Sequence, residues 1–377
     1  MHLLVDISAH GLGHLAQTAP VLDALAALAP DLRLTVRSAL PREHLARRIA
    51  ADFAHVLEAR DFGFVMHNAV DIDLAASAQR YRDFHVHWPQ RVAAETDWLR
   101  QHRIDAVLSN VAYLPLAAAA GAGIPAACLC SLNWADLFAH YFATEPWAAE
   151  VHGQMLAAYN SSLGFLLVTP GLPMKDLLLR REVSPIARVG QRDRARVARL
   201  LDLKESERWV LLAMGGMEFR LPVESWPQIG GLKWLVPGDW KLARDDVRAV
   251  DVADLHFTEL LASVDAVVTK PGYGTFVEAA CSGIPILYLQ RDDWLETPHF
   301  AAWLALHARA QMLPRERLMS GDFIDMLQNL WQTLAPAVPL ANGADEAACW
   351  LVPALGLVLR EKMDADAGPT TSSAAMD

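Results

Sequence analysis

The sequence predicts an α/β protein of two Rossmann-like αβα domains whose parallel sheets face a central cleft. Three observations predict it. At 377 residues the chain exceeds what one ordinary core holds, so two domains is the natural division. Short apolar runs alternate with helical stretches, the pattern of parallel sheets covered on both faces. That alternation loosens after Leu166-Leu167-Val168 and restarts at Trp209, with no detectable sequence repeat.

Val5-Asp6-Ile7 is the first strand and runs into the glycine loop Ser8-Ala9-His10-Gly11-Leu12-Gly13-His14, with a helix from about 18 to 29. Leu32 to Val36 is the next strand, and Pro41 with Glu43 opens a helix. A strand and loop fill 53–65, and 73–102 is a long helix interrupted at Trp88-Pro89. Residues 106–135 carry no formal charge and are long enough to span a bilayer. Pro115, Gly121, Gly123, Pro125 and Asn133 cut that stretch into strand, buried helix and strand, which is core and not membrane. Thr169 to Pro173 and Ser184-Pro185-Ile186 punctuate the domains. In the second half the expected strands are 209–213, 234–237, 247–252, 266–268 and, last, 284–289, with helices at 257–263, 274–282 and 344–361. The resulting division is 1–187, 188–343, a helix at 344–362 crossing back to the first domain, and a disordered tail at 363–377.

A hydrophobic fraction of 53% with 20% charged residues describes a globular chain, and a formal charge of −11 argues against a nucleic-acid or anionic-membrane partner. Arg188, Arg192, Arg194, Arg196 and Arg199 read as a solvated helix face or linker. Cys128, Cys130, Cys281 and Cys349 form no C-x-x-C pair and read as buried, reduced thiols of a cytoplasmic protein. Met1 to Val5 lacks the pattern of a signal peptide.

Three segments carry chemistry. In Asp265 to Glu278 a buried strand ends, Gly272 and Gly274 turn the chain, and Thr275 stands where a helix begins. Free N–H groups and the dipole of that helix favour an anion, while Thr275 and Glu278 also have capping-box spacing, so both readings stand. Ile284 to Leu289 delivers Gln290-Arg291-Asp292-Asp293-Trp294-Leu295-Glu296 to the carboxyl end of a strand, where open α/β sheets bind ligands. In the N-terminal loop, His10 and His14 are either proton-transfer groups or histidines bonding their own loop. No G-x-x-G continues that loop and Thr35-Val36-Arg37 has no acidic residue, which argues against a nicotinamide cofactor.

With these segments placed, the chain resembles the GT-B nucleotide-sugar glycosyltransferases related to glycosyltransferase family 28. It is especially similar to the transferase-like N-terminal region of arabinokinases and uncharacterised bacterial relatives. Ser8 to His14, Gly123-Ile124-Pro125 through Ser131-Leu132-Asn133-Trp134 to Tyr141, and Lys270-Pro271-Gly272-Tyr273-Gly274-Thr275 through Glu278 to Arg291 and Glu296 carry the resemblance. It implies a donor site of Gly215, Gly216, Lys270, Gly272, Tyr273, Gly274, Thr275, Glu278, Arg291, Asp292 and Glu296, with Glu278 on the ribose. It implies His14, with His10, at the reaction centre, and Gly11, Gly13, Asn133, Trp134 and Tyr141 on the acceptor side. The implied reaction is attack of an acceptor hydroxyl on the anomeric carbon of a UDP- or dTDP-sugar, with inversion and departure of the nucleoside diphosphate. The nucleotide sugar is a co-substrate, and neither metal nor bound cofactor is expected; Asp71-Ile72-Asp73 lies in an irregular stretch and is discounted as a metal motif.

Two residues depart from the pattern: Gln17 stands where relatives carry Arg, and Asn110 where they carry Asp. They leave a non-catalytic nucleotide-sugar-binding protein, and beyond it an epimerase acting on the same donor, as competing readings. No Gly/Ser-rich phosphate loop follows the transferase-like region, so sugar phosphorylation is not expected.

Overall fold

The computed structural model describes residues 1–216, 219–251 and 255–357. The first half contains β1 (His2–Ile7), α1 (Leu12–Leu28), β2 (Arg33–Arg37), α2 (Arg42–Ala46), β3 (Ala54–Val56), α3 (Leu74–His85) and α4 (Trp88–Gln101). It continues through β4 (Ala106–Asn110), α5 (Leu114–Ala122), β5 (Ala126–Cys130), α6 (Trp134–Phe142), α7 (Ala148–Asn160), β6 (Phe165–Val168) and β7 (Arg180–Val183). The second half begins with α8 (Arg194–Leu201), β8 (Arg208–Ala213), β9 (Leu232–Val236), β10 (Val247–Ala249) and α9 (Phe257–Ser263). There follow β11 (Ala266–Thr269), α10 (Tyr273–Cys281), β12 (Ile286–Leu289), α11 (Thr297–His307) and β13 (Ala310–Leu313). The last helices are α12 (Arg315–Ser320), α13 (Ile324–Gln332) and α14 (Gly343–Ala354).

The strands form two parallel sheets, ordered β3-β2-β1-β4-β5-β6-β7 and β10-β9-β8-β11-β12-β13. Each strand order reverses once, between β1 and β4 and between β8 and β11. Loops leaving such a switch point diverge to opposite faces and open a crevice at the strands' carboxyl ends. Ile7 pairs with Asn110 in the first sheet and Ala213 with Thr269 in the second. The histidine loop therefore stands beside Asn110, and Gly215 beside Lys270.

Several expectations shift. The first helix starts at Leu12, earlier than periodicity placed it, so His14 lies on its first turn and not in the loop. Residues 73–102 split into α3 and α4 around Val86 and His87. Strands β7 and β13 were not expected; both are sheet edges, and β7 shows only Val183 to the core. An edge strand need not carry an apolar run. The strand expected over 247–252 ends at Ala249, and its last residue lies outside the described residues. The final helix ends at Ala354; the rest of its expected span from 358, and the tail expected to be disordered, also lie outside them.

Residues 106–135 form β4, α5, β5 and the start of α6, all core, and no described helix is long and apolar enough to cross a membrane. Three cysteines are buried as expected, whereas Cys349 is exposed on α14, whose inward face is Ala347, Ala348, Leu351 and Val352. Of the arginine cluster, Arg194 is no solvated residue: it pairs with Asp265 at 3.0 Å and covers Trp209. Helix α14 packs on α1 and β7, and α1 packs on α10, so one continuous core joins the two sheets.

The end of β1 is anchored by a buried ion network. Arg37 on β2 grips Asp6 through Nε and Nη2 at 2.7 and 2.9 Å and also reaches Glu95 on α4. Arg60 completes it on Glu95 at 2.6 Å.

Candidate active site

Gly11 caps α1 and no atom lies within 4 Å of where its Cβ would stand. One turn later, His14 Nδ1 lies 2.8 Å from Asn110 Oδ1. The Asn110 amide donates through Nδ2 to the Leu129 carbonyl at 2.9 Å, so its oxygen must face the histidine. Nδ1 therefore carries the proton and Nε2 is left as the acceptor. Burial pushes His14 down to about 4, against the pull of the Asn110 contact, so the ring is neutral at pH 7.

His10 is placed differently. Its ring lies parallel to Trp294 at 6.0 Å and edge-on to Trp134 at 5.2 Å. Gly63, at φ +57°, closes the remaining side, where a Cβ would come within 2.6 Å of the ring. Burial, then the charges of His14, Lys270 and Arg291, push His10 down to about 3. Its Nε2 is buried and without a partner among the described residues.

Of the residues expected on the acceptor side, Asn133 is fully buried and caps α6 by accepting from the Asp136 N–H at 2.7 Å, while its Nδ2 has no partner among the described residues. Trp134 is buried against both histidines and donates to Asp61 at 2.8 Å. Burial raises the Asp61 carboxyl to about 6. Tyr141 donates to the Asp293 carbonyl, tying the two domains together.

On the donor side, β11 ends at Thr269 and Gly272 caps α10. The helix thus begins at Tyr273, and Thr275 is its third residue, not its cap. The capping-box alternative fails with it, because both oxygens of Glu278 face Arg48 of the other domain. A ribose at Glu278 would have to replace Arg48. Tyr273 is a bracing residue: its hydroxyl donates to the Thr169 carbonyl at 3.0 Å and accepts from the Ile186 N–H at 2.9 Å. Gly274 and Gly13 let the two helix starts meet, since a Cβ on Gly274 would lie 3.0 Å from Ala16 Cβ and one on Gly13 would lie 3.7 Å from Gly274 N. Gly216 admits Leu12 in the same way, at 2.8 Å.

Gly215, at φ +90°, and Gly272 both face the Lys270 side chain, with Cε 3.0 Å from a Cβ on the first and Nζ 3.7 Å from one on the second. The Lys270 ammonium has no hydrogen-bond or ion-pair partner among the described residues. Burial first, then the charge of Arg291, push Lys270 down to about 8, opposed by Glu296. Arg291 is buried with its guanidinium 4.3 Å over Trp294. Glu296, raised by burial, accepts from Ser131 Oγ at 2.8 Å and Trp294 Nε1 at 3.0 Å. Gln17 holds Ser131 by two bonds, at 3.0 and 3.1 Å, so the departure at position 17 sits one residue from the Glu296 carboxylate. Asp292 is exposed and accepts from Gln290 Nε2 at 2.7 Å.

The sequence did not single out Arg48 or Asp61, and it named Ser131 only within a matched stretch, without a role. Arg48 reaches Glu278 across 230 residues, a separation that leaves no local signal. The discounted aspartates are both engaged: Asp71 pairs with Arg315 at 3.1 Å, and Asp73 caps α3.

Two facing parallel sheets, each with its switch point on the shared cleft, define the architecture: the chain has the GT-B glycosyltransferase fold. No family model matches the sequence. The chain is similar to the L-arabinokinase of Arabidopsis thaliana, 25% identical over 335 residues, covering 85% of this chain. It spans only 31% of that protein's length. Among solved structures it is similar to the calicheamicin glycosyltransferase CalG4, with TM-score 0.62 and 15% identity over 94% of this chain and 98% of the other. It is also similar to Phytolacca americana UGT2 complexed with UDP-2fluoro-glucose and pterostilbene, with TM-score 0.56 and 14% identity over 94% of each chain. A third is the glycosyltransferase VinC in complex with dTDP, with TM-score 0.51 and 16% identity over 94% of this chain and all of the other (100%).

Proposed function

We propose that this protein is a nucleotide-sugar-dependent glycosyltransferase that moves a hexose-type sugar from a UDP- or dTDP-linked donor to an acceptor hydroxyl, with inversion and without a metal. The observation that carries this reading is Lys270, an unpartnered ammonium between two open glycines at the start of α10, across the cleft from His14. Burial first, then neighbouring positive charge, lowers His10, His14 and Lys270, so added negative charge beside them is favoured. A diphosphate would supply it, with the first N–H groups of α10 as further donors. In the reaction His14 Nε2 takes the proton of the acceptor hydroxyl as its oxygen bonds to the anomeric carbon. The bond from that carbon to the diphosphate breaks, and Lys270 and the helix start receive the leaving charge. Entry of the nucleotide parts Arg48 from Glu278. The cytoplasm, where nucleotide sugars are made, suits this reading.

Release of nucleoside diphosphate across a panel of UDP- and dTDP-sugars with varied acceptors tests the proposal. Turnover with any pair supports it, and no release with any pair overturns it. Lys270→Met is expected to weaken nucleoside diphosphate binding about tenfold or more, the loss of one charge-assisted contact, read by titration calorimetry. With Lys270 at about 8, wild-type affinity should fall as the pH rises past that value, while Lys270→Arg stays flat.

One observation favours a second reading, nucleotide-sugar binding without turnover: the neutral Asn110 amide offers a protonated His14 no counter-charge. Tight donor binding with no product in the same panel would support it.

A further inference from the structure

Arg291 carries a pair of donors that find no hydrogen-bond acceptor among the described residues. The guanidinium edge formed by Nε and Nη2 is the edge that grips a carboxylate side-on. This chain uses that edge twice elsewhere: Arg37 holds Asp6 with it at 2.7 and 2.9 Å, and Arg244 holds Asp246 at 2.9 and 2.7 Å. In Arg291 the same two atoms are buried with no hydrogen-bond partner among the described residues. Asp293 lies 3.4 Å from Nε, near enough for attraction but out of hydrogen-bond line. Leaving such donors unmet in the interior costs about 1–3 kcal/mol.

Arg291 also lines a cavity of about 300 Å³, whose charged walls are Asp71, Asp292, Asp293 and Arg315, with Val70 and Gln290 between them. That volume is at the small end for ligand sites, which run to roughly 300–1,000 Å³. Its far wall is a loop of the other domain that inserts Val70 into the core of the second sheet and is held by the Asp71–Arg315 pair. Strands β11 and β12 are neighbours with Thr269 paired to Tyr288, so the strand ends, about 5 Å apart, deliver Lys270 and the Gln290–Arg291 pair to the same edge of the sheet. A sugar whose diphosphate rests on Lys270 would extend into this cavity.

We propose that the transferred sugar carries a carboxylate, as a glycuronic acid does, and that Arg291 Nε and Nη2 hold it side-on. The inference rests on the glycosyltransferase reading. The cavity's other charges select among oxyanions. Asp71, Asp292 and Asp293 outnumber Arg291 and Arg315 on its wall. That balance repels a doubly charged phosphate more than a singly charged, planar carboxylate. Asp71 and Asp292 keep acceptor capacity for sugar hydroxyls beyond their bonds to Arg315, Asn68 and Gln290.

The test is titration calorimetry of the full chain with UDP, UDP-glucose, UDP-glucuronate, UDP-galactose and UDP-galacturonate, and with the dTDP counterparts. At least one uronate should bind about tenfold or more tightly than its matched neutral sugar, the value of one charge-assisted bidentate contact. Arg291→Gln should bring the matched pair level, and Arg291→Lys, which keeps the charge but not the fork, should lose most of the preference. The melting temperature of each variant without ligand separates this from unfolding, and the quantity read is the ratio of affinities within each matched pair. Equal affinity within every matched pair overturns the inference and leaves the glycosyltransferase reading standing. Absence of binding by every nucleotide overturns both.

Discussion

Replacing His14 by alanine is expected to lower turnover about 10²–10⁴-fold, the range for a positioned general base. Donor affinity should hardly change, since the imidazole acts on the acceptor hydroxyl and not on the diphosphate. The expectation follows from how the ring is held. Asn110 Oδ1 fixes the proton on Nδ1, and the Leu129 carbonyl fixes the amide, so Nε2 is the acceptor. The same geometry predicts a gain. Asn110→Asp would place a carboxylate 2.8 Å from Nδ1, favouring the imidazolium and raising His14 from about 4 toward neutral pH. A base so raised takes a proton more readily, so turnover should rise and the acidic limb of the pH–rate profile should move upward. If His14→Ala turns over at the wild-type rate, the histidine is structural.

Arg37→Met is expected to destabilise the fold by about 3–5 kcal/mol, because it strands the Asp6 carboxylate in the core and leaves Glu95 with Arg60 alone. Asp6 and Glu95 are both buried, and Arg37 is their shared partner. The effect should appear as a lower urea midpoint at unchanged m-value. It should also depend on pH in a defined direction. Burial raises the Asp6 carboxyl above its ordinary value, so without Arg37 the penalty falls on the ionised form. The deficit should therefore be largest above the ordinary carboxylate range and shrink as acid protonates Asp6. Restoring the wild-type midpoint in Arg37→Met by Asp6→Asn with Glu95→Gln would show that the stranded charges, and not lost packing, cause the deficit. Asp6 lies two residues before Ser8, so this network also fixes where the histidine loop leaves the sheet.

Much of this architecture was legible because it is written in local pattern. The runs at 106–108, 126–130 and 266–268 are apolar end to end, as strands buried on both faces must be, and a polar residue follows each. The edge strands β7 and β13 were missed because half-exposed strands carry no such run. The glycine-rich turn before α10 also pointed correctly to a helix start beside Lys270. What single positions do within it was less legible. Gly274 reads like a phosphate glycine but is required by Ala16 of the other domain, and Tyr273 braces Thr169 and Ile186. Such roles depend on partners a hundred or more residues away, which no spacing rule encodes. Arg48 is the extreme case, an unremarked surface-type residue that occupies the carboxylate of Glu278. The fork of Arg291, without a hydrogen-bond acceptor among the described residues, is invisible for the same reason: a sequence shows the donors but not which of them lack acceptors.

The central claim is that the start of α10 and Lys270 hold a nucleoside diphosphate, and thermal unfolding with UDP and dTDP tests it most directly. At a hundredfold excess over the dissociation constant, a ligand of the folded state adds about 2.7 kcal/mol. The account predicts a clear rise in melting temperature with at least one of the two nucleotides, lost in Lys270→Met at the same concentration. No rise with either nucleotide, or an equal rise in Lys270→Met, would contradict it.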